Sequence, residues 1–307
     1  MNLPAQVRIV EVGPRDGLQN ESATVPSAVK AAFIRALART GLSEIEVTSF
    51  VSPKWVPQLA DAAEVLEILG PPEDGITYTA LVPNEKGMER ALAAGIGRVA
   101  VFTAASETFN RKNINAGIAE SLRRFEPIVE RAAKLRMSVR GYVSAAFVCP
   151  YEGTIDPDAT VAVVRRLFSI GVDEVSIGDT IGAAVPTQVE ELIDRLATEV
   201  PMSRVAMHFH DTRGTALPNV LAALQHGLAI FDSSAGGLGG CPFAPGATGN
   251  LATEDLVYFL EGMGIETGVS LSKVVAASNE LRESVPVVQP SRVLLAERSK
   301  AHQPGAS

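Results

Sequence analysis

Short β-branched runs alternate with longer amphipathic segments eight times over about 255 residues, and this count predicts a (β/α)8 TIM barrel, whose usual length is ~250 residues. Two further observations point the same way. A glycine stands just past many of the helical segments, and unusual polar residues recur at the ends of the strand runs. A doubly wound sheet is the competing architecture, and alternation alone does not separate the two.

The strand runs, in order, are RIVEVG (8–13), EIEVTSF (44–50), ITYTALV (76–82), RVAVFT (98–103), SVRGYVSA (138–145), EVSIGDT (174–180), VAMHFH (205–210) and IFDSSAGG (230–237). Between them, apolar residues at helical spacing predict helices over 27–40, 61–69, 85–94, 115–136, 157–170, 186–199, 216–226 and 253–262. Several open on a capping or proline signal, such as DPDAT at 156–160 and VPTQ at 185–188. Gly41, Gly70, Gly95, Gly171 and Gly227 mark C-terminal ends, where a left-handed residue satisfies the last carbonyls. A helical stretch, LSKVVAASNELRESV, and a proline-interrupted tail occupy about 270–300. No low-complexity linker divides the chain, so the expectation is one catalytic domain over 1–307. Its barrel spans about 7–265, and a C-terminal helical extension spans about 270–300.

The chain has 307 residues, 46% hydrophobic and 20% charged, enough for a large buried core. Its 27 basic and 35 acidic residues give a net charge of −8, which argues against non-specific nucleic-acid binding. No apolar run approaches the roughly 18 residues needed to span a membrane. Only Cys149 and Cys241 occur, so no disulfide framework is indicated and a reducing compartment fits. The opening MNLPAQVRIVEVG lacks a basic segment followed by an apolar core, and the expected location is cytoplasmic.

In a barrel, working residues come from the C-terminal ends of different strands. After the first run stand Arg15 and Asp16. Glu46 lies inside the second, sharing a face with Glu44 and Thr48, and a carboxylate in a strand is costly unless paired. His208 and His210 close the seventh run and share a face at i, i+2, while Val205, Met207 and Phe209 face the helices. Asn250 follows the eighth. Closure brings runs one, seven and eight together, so Asp16, His208, His210 and Asn250 form a candidate metal set. Two imidazoles, a carboxylate and an amide oxygen without thiolate suit Mg2+ or Mn2+, although ligand type alone also admits Zn2+. Asp211 is the alternative ligand; alternation turns it away, so it is expected to hold the loop.

Beside a metal, Arg15 is placed to hold a developing oxyanion, and Glu46 to brace Arg15 or a histidine. Asp179 alternates with Val175 and Ile177 and reaches the mouth only if the chain bends at Gly178. Cys241 lies in a glycine-rich run, AGGLGGCPFAPGATGN, whose setting favours a gated catalytic role over an inert one. That run lacks the Lys and Ser/Thr of a phosphate-binding loop. Cys149, His226 and His302 are expected to be structural. FNRKNIN at 109–115, the best local basic patch, fits a solvated loop and an anionic-substrate contact equally well.

Taken together, VEVGPRDGLQNE, IEVTSFVSPKWVPQ, RGYVSAAFVCPYEG, SIGDTIG, HFHDTRGTAL and GGLGGCPFAPGATGNLATEDLVYFLEGMGI closely resemble the hydroxymethylglutaryl-CoA lyase family, over about 7–285. The GPRDG and HxHD motifs are shared with Claisen-type synthases; the run around Cys241 marks the lyase branch. The resemblance implies a TIM barrel and a divalent metal on Asp16, His208, His210 and Asn250. It makes Arg15 a substrate-carbonyl ligand and Cys241 a catalytic residue on a lid loop. Glu11, Glu46 and Asp179 match acidic active-site positions, with Asp179 also near substrate. Relatives commonly have an aromatic where Arg213 stands, and no role for Arg213 follows from the sequence.

The implied reaction is retro-Claisen cleavage of (S)-3-hydroxy-3-methylglutaryl-CoA to acetyl-CoA and acetoacetate, of the kind used in leucine degradation, by a homodimer. The alternatives are a lyase for a larger C3 substituent such as an isoprenoid branch, a Claisen-type synthase, and a non-catalytic barrel. A synthase usually carries an added regulatory domain, for which this chain has no room.

Overall fold

The computed structural model describes residues 3–239 and 249–301. Eight parallel strands close on themselves: β1 (Arg8–Glu11), β2 (Glu44–Ser49), β3 (Thr77–Leu81), β4 (Arg98–Ala104), β5 (Ser138–Ser144), β6 (Glu174–Asp179), β7 (Val205–Phe209) and β8 (Ile230–Ser233). Each pairs with the next in chain order. The last returns to the first, with Arg8 opposite Ile230 and Glu11 opposite Ser233. This closure resolves the competition with an open, doubly wound sheet in favour of the barrel.

The outer ring is formed by α1 (Ser27–Ala38), α2 (Ala62–Leu69), α3 (Glu85–Ala93), α4 (Glu107–Ile114), α5 (Ile118–Lys134), α6 (Pro157–Ser169), α7 (Pro186–Ala197), α8 (Ala216–Gln225) and α9 (Thr253–Gly262). The five glycines expected at helix ends all have positive φ, between 74° and 101°. At Gly41 the demand is also steric, since a Cβ there would lie 2.0 Å from the Gly268 carbonyl oxygen. Outward-facing residues of the strands, such as Ile9, Ile45, Val175, Ile177, Met207 and Phe231, join the helix faces in a continuous apolar core.

Strand boundaries fall within about two residues of expectation except at β8. The run 230–237 pairs only as far as Ser233, because Gly236 and Gly237 take φ of 73° and 70° and coil Ala235–Gly237 into a tight turn. The FNRKNIN patch is helical: Ser106 caps α4 by accepting the Phe109 N–H at 3.0 Å, so α5 starts at Ile118. The C-terminal extension is two helices, α10 (Leu271–Ser284) and α11 (Arg292–Ala301). Asp255 on α9 anchors the start of α11, accepting from Ser291 Oγ and from the N–H groups of Arg292 and Val293.

Inside, the barrel floor is charged. Arg8, Arg98 and Arg140 interleave with Glu44, Glu174 and Asp232 in an ion network that runs across six strands. Among the described residues, no helix is long and apolar enough to cross a membrane.

Candidate active site

Three chain segments meet at the C-terminal mouth of the barrel. After β1 the backbone winds into one π-helical turn, Gly13–Gly17, in which the N–H groups of Arg15, Asp16 and Gly17 all converge on the Val12 carbonyl. Such wide turns recur at functional sites, and this one brings Arg15 and Asp16 over the lumen. The end of β7 supplies His208 and His210. The third segment, 249–252, follows the residues outside the description and is stitched to both neighbours. Leu251 N–H reaches Phe209 O, Asp211 N–H reaches Gly249 O and Ser234 N–H reaches Leu251 O. Asn250 therefore sits opposite His210 as an isolated antiparallel bridge partner.

Donor atoms of Asp16, His208 and His210 lie within 4.8 Å of one another, so these three side chains form a group able to hold a metal ion. Asn250 Nδ2 donates to Asp16 Oδ2 at 2.9 Å and to Leu238 O at 3.1 Å, although the two partners are 234 residues apart in the first case. Among the described residues, its Oδ1 is buried without a hydrogen-bond partner, and so is His210 Nδ1. Unpartnered buried acceptors are rare in a folded protein and call for an explanation; a cation is one that answers both.

The electrostatics suit that reading. Burial opposes ionisation of Asp16, but the Arg15 guanidinium and the two imidazoles hold its carboxyl at about 2. Burial, then the His208 ring, push His210 down to about 3, so it is a neutral imidazole with a free lone pair at physiological pH.

Arg15 is fixed from three sides. Nε donates to Glu46 Oε2 at 2.7 Å, Nη1 to Asp16 Oδ1 at 2.6 Å, and the guanidinium carbon lies 5.4 Å from the centre of the Tyr142 ring. Tyr142 is itself bonded to Glu46 and to Arg140. Glu46 thus braces Arg15, and its Oε1 has no partner. Arg15, Asp16, His208 and His210 line one part of a cavity of about 770 Å³, whose other walls include Trp55, Phe102, Asn113, Asn115 and Arg124. The FNRKNIN segment therefore contributes to the cavity through Asn113, Ile114 and Asn115.

Two acidic residues expected at the mouth lie behind it. β6 runs straight through Gly178 without the bend, and Asp179 stays on the outward face with Val175 and Ile177. Its carboxylate accepts the N–H groups of Ala183 and Ala184, while its neighbours Gly178 and Thr180 line the cavity. Glu11 likewise faces outward from β1 and gathers the N–H groups of Gly13 and Ala235 and the Thr253 hydroxyl. Both carboxylates organise the turns from which the site is built. Cys241 lies outside the described residues.

Asp211 is turned away from the two histidines: it accepts the Ala216 N–H and pairs with Arg292 of α11. Arg213 donates from Nη1 to the carbonyls of Ile181 and Gly182, tying the loop after β7 to the loop after β6. Cys149 is buried against Ser106 Oγ, and His226 bonds the Ala222 carbonyl.

Sequence reasoning passed over Arg140, Tyr142, Asp232 and Glu254. The first three are polar side chains inside strands, where the burial penalty that drew attention to Glu46 applies equally. Glu254 gave no such signal: it opens an ordinary helix, and only the fold buries it against Gly236 N–H and Ser278 Oγ.

Residues 6–281 match the HMGL-like family model. The chain is 51% identical over 291 residues, 95% of its length and 84% of the relative's, to the cytoplasmic 3-hydroxy-3-methylglutaryl-CoA lyase of Rattus norvegicus. Relatives from Macaca fascicularis and Rattus norvegicus named hydroxymethylglutaryl-CoA lyase are described as mitochondrial. The crystal structure of the Bacillus subtilis HMG-CoA lyase superposes with a TM-score of 0.95 at 49% identity, covering 97% of this chain and 100% of that one. An HMG-CoA lyase from Acinetobacter baumannii, solved in complex with coenzyme A and 3-methylmalate, superposes at 0.90 with 37% identity over 99% of this chain and 97% of its own. A family model spanning nearly the whole barrel, together with relatives at half identity and the same closed fold, establishes that the chain belongs to the HMGL-like family.

Proposed function

We propose that this protein is a divalent-metal-dependent carbon–carbon lyase that cleaves (S)-3-hydroxy-3-methylglutaryl-CoA to acetyl-CoA and acetoacetate. The observation that carries the reading is the convergence of Asp16, His208 and His210 beside a rigidly held Arg15 in a large cavity. Asn250 Oδ1 is the fourth donor of the proposed set, and Mg2+ or Mn2+ is the ion its oxygen- and imidazole-rich chemistry suits. Bound there, a divalent ion supplies the Lewis acidity that lowers the pKa of the substrate's C3 hydroxyl.

The protein's own groups account for the remaining needs. The hydroxyl proton passes to the Asp16 carboxylate, since both nitrogens of His208 are committed, one to the metal set and one to Asp232. As C2–C3 breaks, C3 becomes the ketone of acetoacetate and the bonding pair moves onto the acetyl-CoA thioester as an enolate. Arg15 meets that charge. Its Nε and Nη1 are engaged by Glu46 and Asp16, and Nη2, which has no partner among the described residues, donates to the enolate oxygen. The Cys241 thiol returns a proton to the enolate carbon. Glu46 takes part by fixing Arg15, and Asp179 and Glu11 by fixing the turns behind the site.

The relative solved with coenzyme A supports an acyl-CoA ligand, and we assign its coenzyme A portion to the cavity wall formed by Asn113, Asn115 and Arg124. We take the working assembly to be a cytoplasmic homodimer, consistent with a cytoplasmic relative and checked by sedimentation and fractionation. The deciding experiment is incubation with a panel of 3-hydroxyglutaryl-CoA analogues differing at C3, with and without Mg2+ or Mn2+. Metal-dependent acetyl-CoA release greatest for the 3-methyl compound is expected. Release from none of them defeats the lyase reading, and preference for a branched analogue moves the substrate.

A further inference from the structure

We propose that Asp232 is a positioning residue for the metal centre, holding His208 with its Nε2 lone pair turned toward Asp16. The inference rests on the metal-site reading above and adds β8 to the elements that build it. Asp232 and His208 are direct partners in adjacent strands, both pointing into the lumen. The Asp232 carboxylate is wholly buried, and Oδ2 lies 3.3 Å from His208 Nδ1. The same oxygen accepts the Ser176 hydroxyl at 2.7 Å, and Oδ1 accepts Arg140 Nη2 at 2.6 Å.

An ionised carboxylate only accepts hydrogen bonds, so the close ring nitrogen must carry the proton. With Nδ1 protonated, the lone pair of the neutral ring falls on Nε2, the atom 3.9 Å from Asp16 Oδ2. Histidines that bind metals are commonly oriented by a carboxylate on the far nitrogen, and losing that partner typically weakens metal binding ~10–100-fold. The neighbouring imidazole provides an internal contrast. His210 sits 5.3 Å away, ring centre to ring centre, and no carboxylate pairs with it among the described residues. Arg140 balances the Asp232 charge and, through Tyr142, also touches the Glu46–Arg15 pair, so one guanidinium stands behind both halves of the site.

The test uses full-length, metal-free protein titrated with Mn2+, free ion being followed by electron paramagnetic resonance. Wild type, Asp232→Asn and Asp16→Asn are compared, with folding checked by near-ultraviolet circular dichroism. The expected result is Mn2+ binding weakened ~10–100-fold in folded Asp232→Asn and more severely in Asp16→Asn. Affinity within twofold of wild type in Asp232→Asn, with Asp16→Asn impaired, overturns the role of Asp232 while leaving the metal centre intact. Unchanged affinity in both variants overturns the metal centre and this inference with it.

A second measurement needs no folded Asp232 variant. In metal-free wild type above the pKa of the ring, histidine ¹⁵N resonances report the tautomer, His208 being assigned by its loss in His208→Gln. A proton on Nδ1 supports the proposal, and one on Nε2 overturns it.

Discussion

The floor and the mouth of the barrel are both lined with charged side chains, yet they differ in how fully those groups answer one another. On the floor, Arg8, Arg98 and Arg140 meet Glu44, Glu174 and Asp232 in at least six close ion pairs, and only Arg98 Nε is left over among the buried polar atoms. At the mouth, Glu46 Oε1, His210 Nδ1 and Asn250 Oδ1 are buried with no partner among the described residues. Polar groups that complete each other hold the barrel in one arrangement. Those that do not are arranged for something from outside. The floor should therefore respond to substitution in stability, except at Asp232, which also holds His208, and the mouth in binding and turnover.

The largest effect belongs to the mouth. Asp16→Asn removes the one anionic donor of the metal set, and acetyl-CoA release from 3-hydroxy-3-methylglutaryl-CoA should fall to background while the melting temperature stays near that of the wild type. A coupled assay and calorimetry check both halves; a melting temperature that collapses with activity would erase the contrast. Arg15→Gln comes next. With one transition-state donor gone, kcat should drop ~10²–10³-fold with a much smaller change in KM, and near-normal turnover would remove Arg15 from the chemistry.

Arg140→Met tests the floor. It strands the Asp232 carboxylate as a buried charge and takes one of three arginine partners from Glu174, a class of change that costs about 3–5 kcal/mol, read as a lower urea midpoint. An unchanged midpoint would show that the network contributes no stability.

The pH dependence is smaller. Burial raises Glu11 and Glu254 from 4.5 to about 7, so over that interval the native protein keeps protons the unfolded chain has released. The stability tied to these groups is complete below pH 4.5 and is lost as pH rises through 7, by on the order of 2–3 kcal/mol for each group between pH 5 and 8. Glu254→Gln should flatten that slope in a melting series, and an unchanged slope would assign the dependence elsewhere. The least effect is expected of Arg213→Gln, which gives up two part-buried carbonyl contacts. A stability loss below ~1 kcal/mol and a few-fold change at most in kcat/KM are expected, and a loss of 100-fold would place Arg213 on the substrate.

Much of this contrast is legible in the chain. His208 and His210 share a face by strand periodicity, and the arrangement of eight alternating units brings their strand next to those preceding Asp16 and Asn250. What pattern does not convey is which way a residue faces once regular spacing ends. Asp16 reaches the lumen only because three N–H groups gather on Val12 O, a turn that periodicity does not encode. Asp179 fails to reach it because Gly178, free to bend, keeps the strand straight against β7. Glu11 and Glu254 look like ordinary polar positions until two separate turns close over them.

The sequence by itself determined the fold class, the helix ends at the five glycines, the candidate metal donors and the family, because each rests on local spacing or on a contiguous motif. The tertiary structure alone decided that Arg140 stands behind both His208 and Arg15, that Asp211 is held by Arg292, and that Arg213 clasps the loop after β6. Those are pairings between residues distant in the chain. They exist only once barrel closure removes water from between the charges and makes each buried group find, or lack, a partner.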